Sequence, residues 1–298
     1  MKQIAGLDVR TIRPAGSSHG YQHAQVTLAD GTRAFAKLAA PADAAAPAML
    51  PADGDWRARE GPADAATAFA AEASGLRWLA EAGAPVPAVL GLSASSLVIT
   101  LIDDQQPAER SAAFRFGADL ARLHAAGAPS FGASWPGVIA SLPLDNTQAT
   151  TWPSWYAERR LLPFLRLATG ALDQSDHRLI DSIIDKIEIL AGPLEPPSRI
   201  HGDLWSGNVL WAGGQGWLID PAAHGGHRET DLAMLSLFGA PHLNTILDGY
   251  KSVTPLADGW RQRVSLHQLH PLLVHVCLFG AGYRAQLREA ARAALAAG

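Results

Sequence analysis

Asp203, Asn208 and Asp220 carry the most informative chemistry in this chain, spaced by five and then twelve residues within His201-Gly202-Asp203-Leu204-Trp205-Ser206-Gly207-Asn208 and Leu218-Ile219-Asp220-Pro221. A carboxylate, an amide and a second carboxylate in that order suit phosphoryl transfer. The first carboxylate orients an acceptor hydroxyl and takes its proton. The amide and the second carboxylate hold Mg2+ against the phosphates of ATP. Asp203 is therefore the expected base, and Asn208 and Asp220 the expected metal ligands. An Asp that ends an apolar run such as Trp217-Leu218-Ile219 needs a charge partner, which a metal ion supplies. His201 is expected to orient the loop through backbone hydrogen bonds. Asp231 is expected to cap the following apolar helix and brace the catalytic loop.

Elements upstream must bring a cation to the phosphates. Val26–Leu28 and Arg33–Leu38 read as short strands joined by a turn at Asp30-Gly31. Ala15 to Gly20 is a small polar turn placed to cover phosphates, with Ser17 and Ser18 as the expected contacts. It lacks the Walker A and full Gly-x-Gly-x-x-Gly patterns. Asp64, a plausible N-cap, and Gly83, ahead of Pro85, bound a predicted helix. Phe69, Leu76 and Leu79 share its apolar face, and Glu72 falls inside that stripe. A core-facing carboxylate is costly unless paired. Lys37 is the expected partner, bridging the helix Glu to ATP phosphates.

Residues 39–63, rich in Ala, Pro, Asp and Gly, read as a mobile insertion rather than a domain. Strands are predicted near Val89 and at Leu97–Ile102. Asp103 to Pro107 breaks the pattern, so the boundary between an amino-terminal lobe (1–103) and a carboxy-terminal lobe (104–298) is placed there. Backbone groups of residues 101 to 104, Leu101 and Asp103 among them, would meet the adenine edge. Beyond it the sequence is mainly helical: around Phe116–His124, Trp155–Leu167, Asp176–Leu190 and Trp260 onward. A short β element near Arg199–His201 and Trp217–Asp220 interrupts these helices.

Composition narrows the function classes. The 298 residues are 48% hydrophobic and 17% charged, with net charge −4. That balance argues against a nucleic-acid partner. The single cysteine, Cys277, precludes an internal disulfide and fits a reducing compartment. Met1 to Ile12 lacks an apolar h-region, and no apolar run of about 18 residues stands out. The expectation is a cytoplasmic protein, monomeric and without a membrane partner. No zinc-ligand spacing or Gly-x-Ser-x-Gly elbow competes with phosphoryl transfer.

His201-Gly202-Asp203-Leu204-Trp205-Ser206-Gly207-Asn208-Val209 resembles the signature of the fructosamine (ketosamine) kinase family. So do Ile219-Asp220-Pro221-Ala222 and Gly226-His227-Arg228-Glu229-Thr230-Asp231-Leu232-Ala233-Met234. Leu142 to Thr147, followed by Trp155 to Pro163, resembles the family's segment leading into a helix of the acceptor lobe. The resemblance implies an α+β, protein-kinase-like two-lobe fold. Its N-lobe would be an antiparallel sheet with one helix, and its C-lobe mainly helical. It implies ATP-dependent phosphorylation of a ketosamine sugar hydroxyl, at carbon 3, which makes the adduct labile and serves deglycation. The substrate would be a small molecule or glycated amine. Trp205 would face the sugar or its amine substituent, with His227, Arg228 and Glu229 as further substrate contacts. The chain departs from the pattern at Leu144, where Gln is usual, and at Val138-Ile139-Ala140, where Ile-Gly is usual. Ser17 and Ser18 stand where some members carry a redox-active Cys. A different small acceptor, such as an aminoglycoside, an aminoalcohol or a free sugar, is the alternative. An aminoglycoside pocket should be lined by several carboxylates, and beyond residue 240 only Asp248, Asp258 and Glu289 are available.

Overall fold

The computed structural model describes residues 2–40, 63–103 and 105–297, so nearly all of the expected insertion lies outside the described residues. Its amino-terminal part is one antiparallel sheet. The strands are β1 (Lys2–Ile4), β2 (Leu7–Ser18), β3 (Tyr21–Leu28), β4 (Arg33–Ala39), β5 (Val89–Ser93) and β6 (Ser96–Thr100), in spatial order β1-β2-β3-β4-β6-β5. Alternation along β3 and β4 assigns their faces. Ala24, Val26, Ala34 and Ala36 pack among themselves on one side, while Tyr21, Phe35 and Lys37 face the other. The sequence carries no strand signal for β1 or most of β2. β2 is largely exposed, with charged residues that mask its period, and is held by pairing to β3. α1 (Ala65–Glu81) covers the inner face. The Asp64 side chain accepts from Thr67 N at 2.7 Å at its start, and Gly83 follows its end, as the sequence predicts.

The remainder is mainly helical. It comprises α2 (Arg110–Ala125), α3 (Trp152–Tyr156), α4 (Leu162–Leu167), α5 (Gln174–Ile184), α6 (Ile187–Leu190), α7 (Arg228–Leu237), α8 (Leu243–Val253), α9 (Trp260–His267), α10 (Leu269–Phe279) and α11 (Arg284–Ala297). A π-helical turn, Ala157–Leu161, joins α3 to α4. Three antiparallel ribbons are inserted: β7 (Gly137–Ile139) with β8 (Leu142–Leu144), β9 (Ser198–Ile200) with β12 (His224–Gly226), and β10 (Val209–Ala212) with β11 (Gln215–Leu218). The single β element expected around Arg199–His201 and Trp217–Asp220 is thus two ribbons, and the catalytic segment runs from one to the other. The fold class is α+β and protein-kinase-like, as expected.

Two packing features fix the site's scaffold. A single apolar cluster runs from Phe69, Leu76 and Leu97 of the sheet-and-α1 unit through Phe116 and Leu120 to Leu204, Val209 and Leu218 around the catalytic segment. The two ends of the site therefore share one core. α2 and α8 touch backbone to backbone. A Cβ on Gly117 would meet Ile246 O at 1.9 Å, and one on Gly249 would meet Phe114 O at 2.0 Å. Helical residues Trp260–Ala297 are long and apolar enough to cross a membrane by length and composition (mean hydropathy 1.3 over the best window). Their apolar residues Leu266, Leu269, Leu272, Leu273, Leu287 and Ala291 are instead buried in the helical core.

Candidate active site

Lys37 lies on β4 with its ammonium turned toward α1. It donates to both oxygens of Glu72, each at 2.8 Å, and to Asp220 Oδ1 at 2.7 Å. Burial alone would push this ammonium down, yet the two carboxylates hold it above its usual pKa. Glu72 is raised by burial, which Lys37 only partly offsets. For Asp220, burial is outweighed by Lys37, leaving the carboxylate below its usual range. The residue has φ of 53°, a left-handed conformation rare for a non-glycine. That bend turns its carboxylate back from the end of β11 toward the sheet.

The catalytic segment is held from below. Asp231, fully buried, accepts His201 N at 2.7 Å and Gly202 N at 3.0 Å. Its Oδ2 also takes a hydrogen bond from His124 Nε2 at 3.2 Å, and His124 Nδ1 in turn meets the Tyr250 hydroxyl at 2.9 Å. His201 Nε2 faces Ile219 O at 2.9 Å; a carbonyl only accepts, so Nε2 carries the proton. Nδ1 is then free to accept Asp203 N at 3.2 Å. Burial holds this imidazole below its usual pKa, which suits a neutral orienting role. Asp231 does not cap α7. That position belongs to His227, whose ring accepts from Glu229 N. Asp231 sits one turn in, aimed at the loop.

Asp203 stands at the cavity floor. Asn208 Nδ2 donates to its main-chain O at 2.8 Å and to its Oδ2 at 3.0 Å. Burial, reinforced by the charges of Asp220 and Asp231, raises the Asp203 carboxyl to about 7 against the lowering effect of Asn208. Gly202 has φ of +83°, and a Cβ there would lie 2.3 Å from Ala222 O. Gly202→Ala is accordingly expected to displace the loop and lower turnover by about 100-fold or more, since misplacement of a reacting group by about 1 Å has that effect. Steady-state kinetics on protein of verified fold checks this.

The donors here suit a hard divalent cation. Asn208 spends its NH2 on Asp203, which leaves its amide oxygen free, and Asp220 Oδ2 is not engaged by Lys37. Oxygen ligands few in number, with the rest supplied by phosphate and water, are what Mg2+ takes. Glu72, Asp203 and Asp220 also outnumber the one cation among them, Lys37.

A cavity of about 600 Å³ joins these groups to an apolar end. Ser18, His19, Lys37 and Glu72 line one end; Trp205, Phe238, Val274, His275, Phe279 and Tyr283 line the other. Ser17 lies on β2 beside the turn and does not line it. Leu101 and Asp103 follow β6 and also lie off it, with Asp103 paired to Arg33. The structure corrects the expected substrate contacts His227, Arg228 and Glu229. Arg228 forks Glu195 with both bonds at 2.6 Å, and Arg263 forks Glu229 at 2.9 and 2.6 Å. His227 is buried, its ring tilted against Trp152 with centroids 4.9 Å apart. The string fastens the start of α7 and none of it reaches the cavity. His227, Glu229 and His267 lie close enough to share an ion. Yet the Arg263 fork occupies the carboxylate, and His227 Nδ1 accepts a backbone N–H, which places the proton on the nitrogen that would have to ligate.

Sequence reasoning missed His19 and Tyr21 at the phosphate end, and Phe238, His275, Phe279 and Tyr283 at the other. His275, Phe279 and Tyr283 recur every four residues, a helical stripe that was legible. His19 sits at the tip of the β2–β3 turn with φ of 50°.

Comparison with known proteins decides the family. The family model for fructosamine kinase matches residues 54–297, more than half of the chain. The chain belongs to the fructosamine kinase family. A crystal structure of a Thermobifida fusca protein named as a fructosamine-3-kinase is 52% identical, with TM-score 0.86, over 98% of this chain and 96% of that one. A Synechocystis protein named as a ketoamine kinase is 34% identical over 229 residues, 74% of this chain and 76% of the relative. Macrolide 2'-phosphotransferase type I, 16% identical with TM-score 0.59 over 98% of this chain and 92% of its own, shares the fold alone. The fructosamine kinases are phosphotransferases acting on sugar hydroxyls, with ATP as phosphate donor, and this chain is one of them.

Proposed function

We propose that the protein moves the γ-phosphoryl group of ATP to a hydroxyl of a ketosamine, a fructosamine or ribulosamine, in the service of deglycation. The reading is carried by Asp203 standing between the Lys37–Glu72–Asp220 cluster and the aromatic end of one cavity. ATP lies between a lobe of residues 1–103 and a lobe of residues 104–298. Ser18, at the cavity's phosphate end, sits over its phosphates with Ser17 beside it on β2, and its adenine extends beyond the cavity to the backbone of Leu101–Asp103. Asn208 and Asp220 hold Mg2+, which when bound neutralises charge developing on the phosphates.

Lys37 gives up part of its contact with Asp220 to the phosphates and stays anchored by Glu72. Asp203 orients the sugar hydroxyl, probing it with the oxygen not held by Asn208, and takes its proton as the oxygen–phosphorus bond forms. The bond from the γ-phosphorus to ADP breaks in the same step, and ADP leaves with that electron pair. Trp205, 40% exposed on the cavity rim, covers the sugar. His201 and Asp231 position the loop and touch no substrate.

An aminoglycoside acceptor is disfavoured by the cavity's composition. None of Asp248, Asp258 or Glu289 lines it. ATP consumption with magnesium on fructoselysine, ribulose-lysine, kanamycin, choline and free ribulose tests the reading. Turnover confined to the first two is expected; turnover of kanamycin or choline with none on the ketosamines would overturn it.

A further inference from the structure

The apolar end of the cavity is a continuous aromatic wall. Trp205 meets Phe238 edge-on at 6.4 Å, Phe238 meets His275 at 4.9 Å, and His275 meets Tyr283 at 4.8 Å and Phe279 at 5.6 Å. Phe279 is 61% exposed, so the wall runs from the base out to solvent. His275 differs from its neighbours. Its Nδ1 lies 2.7 Å from the Pro271 carbonyl, which only accepts, so the ring proton is on Nδ1. Nε2 is left with a lone pair and no hydrogen-bond partner among the described residues. Burial favours the neutral ring, and no charged side chain lies among its aromatic neighbours. The charged residues described on this cavity, Lys37, Glu72, Asp203 and Asp220, are gathered at the phosphate end and the base.

A protonated amine is the chemical group that such a wall receives. Aromatic faces attract a cation, and a bare imidazole lone pair accepts an N–H. We infer that His275 and the aromatic wall recognise the ammonium of the acceptor, with His275 Nε2 accepting its N–H and the amine's carrier passing out along Phe279. The inference rests on the ketosamine reading and names which part of the ketosamine the protein reads. Sugar position is set by Asp203 and Trp205; the amine is set by α10. A carrier whose carboxylate sits beside the amine finds no cation at the described wall, so adducts of simple alkylamines or of lysine side chains are preferred.

The test compares two acceptors that differ by one methyl group. One is a 1-deoxy ketose bearing a dimethylammonium group, which has an N–H; the other bears trimethylammonium, which keeps the charge but has none. Wild-type protein is expected to show a KM about tenfold lower for the first, the size of one hydrogen bond to a charged group. His275→Phe keeps a ring and removes the acceptor. It should bring the two KM values within about twofold by raising the first, with KM for ATP unchanged. His275→Gln restores an acceptor and should recover part of the preference. Both substrates are read on the same protein, so an inactive fraction cancels from the ratio. If His275→Phe gives no folded protein, the wild-type ratio and His275→Gln decide. Equal KM values in wild type, or a preference that survives in His275→Phe, would overturn the inference alone. Turnover of neither compound by wild type would remove the ketosamine reading and this inference with it.

Discussion

Asp203→Asn is expected to lose several orders of magnitude in turnover, to keep nucleotide binding, and to melt at a higher temperature than wild type at pH 8. The loss follows because an amide cannot take the hydroxyl proton, while Lys37, which engages the phosphates, and its partners Glu72 and Asp220 are untouched. The gain follows from the sign of the pKa shift. Burial raises the Asp203 carboxyl to about 7 in the folded protein, against 3.8 ordinarily. The folded state thus prefers the protonated form, and ionisation above pH 7 works against folding. This penalty is complete above about 7 and absent below about 4. The advantage of the Asn variant should therefore be present at pH 8 and vanish near pH 4. In wild type, kcat/KM should fall as pH drops below about 7, because only the carboxylate accepts a proton. Thermal melts at several pH values, nucleotide titration and steady-state kinetics measure all of this. Near-normal turnover would remove Asp203 from the role of base.

Lys37→Met is expected to weaken nucleotide engagement, reduce turnover by about 100-fold or more, and destabilise the fold. Removing the one cation strands the largely buried Glu72 beside Asp220, whose side chain is 42% exposed and keeps part of its hydration. Breaking a buried pair in this way costs about 3–5 kcal/mol. Part of that is relieved because Glu72, already raised by burial, takes up a proton. Adding Glu72→Gln removes the stranded charge and should recover much of the melting temperature without recovering turnover. The two readouts thus separate the role of the pair in folding from its role on phosphate. Unchanged nucleotide affinity in Lys37→Met would exclude the lysine from the phosphates.

Much of the architecture is legible in the sequence. α1 and its Asp64 cap follow from local rules, and the Lys37–Glu72 pairing follows from one physical constraint, a carboxylate on an apolar helix face. β2 escaped because an exposed strand held by backbone pairing leaves no apolar period. The split of the catalytic ribbons escaped because short strands carry no sign of their partners.

The sequence by itself determined the family, the fold class, and which residue types stand ready for phosphoryl transfer. These are properties of local order: Asp203 to Asn208 fit on one turn, and their spacing survives any packing. The tertiary structure alone decided which charged residues meet the cavity. Gly226-His227-Arg228-Glu229 reads like a binding string, but Glu195 and Arg263, distant in sequence, pair with its charges and tie it into the start of α7. Conversely His275, Phe279 and Tyr283 are spaced like an ordinary helical stripe, yet α10 and the 3-10 turn that follows it at Gly280–Tyr283 bring them onto the same cavity as Trp205. A local pattern specifies a helix face; what that face meets is set by elements remote in the chain.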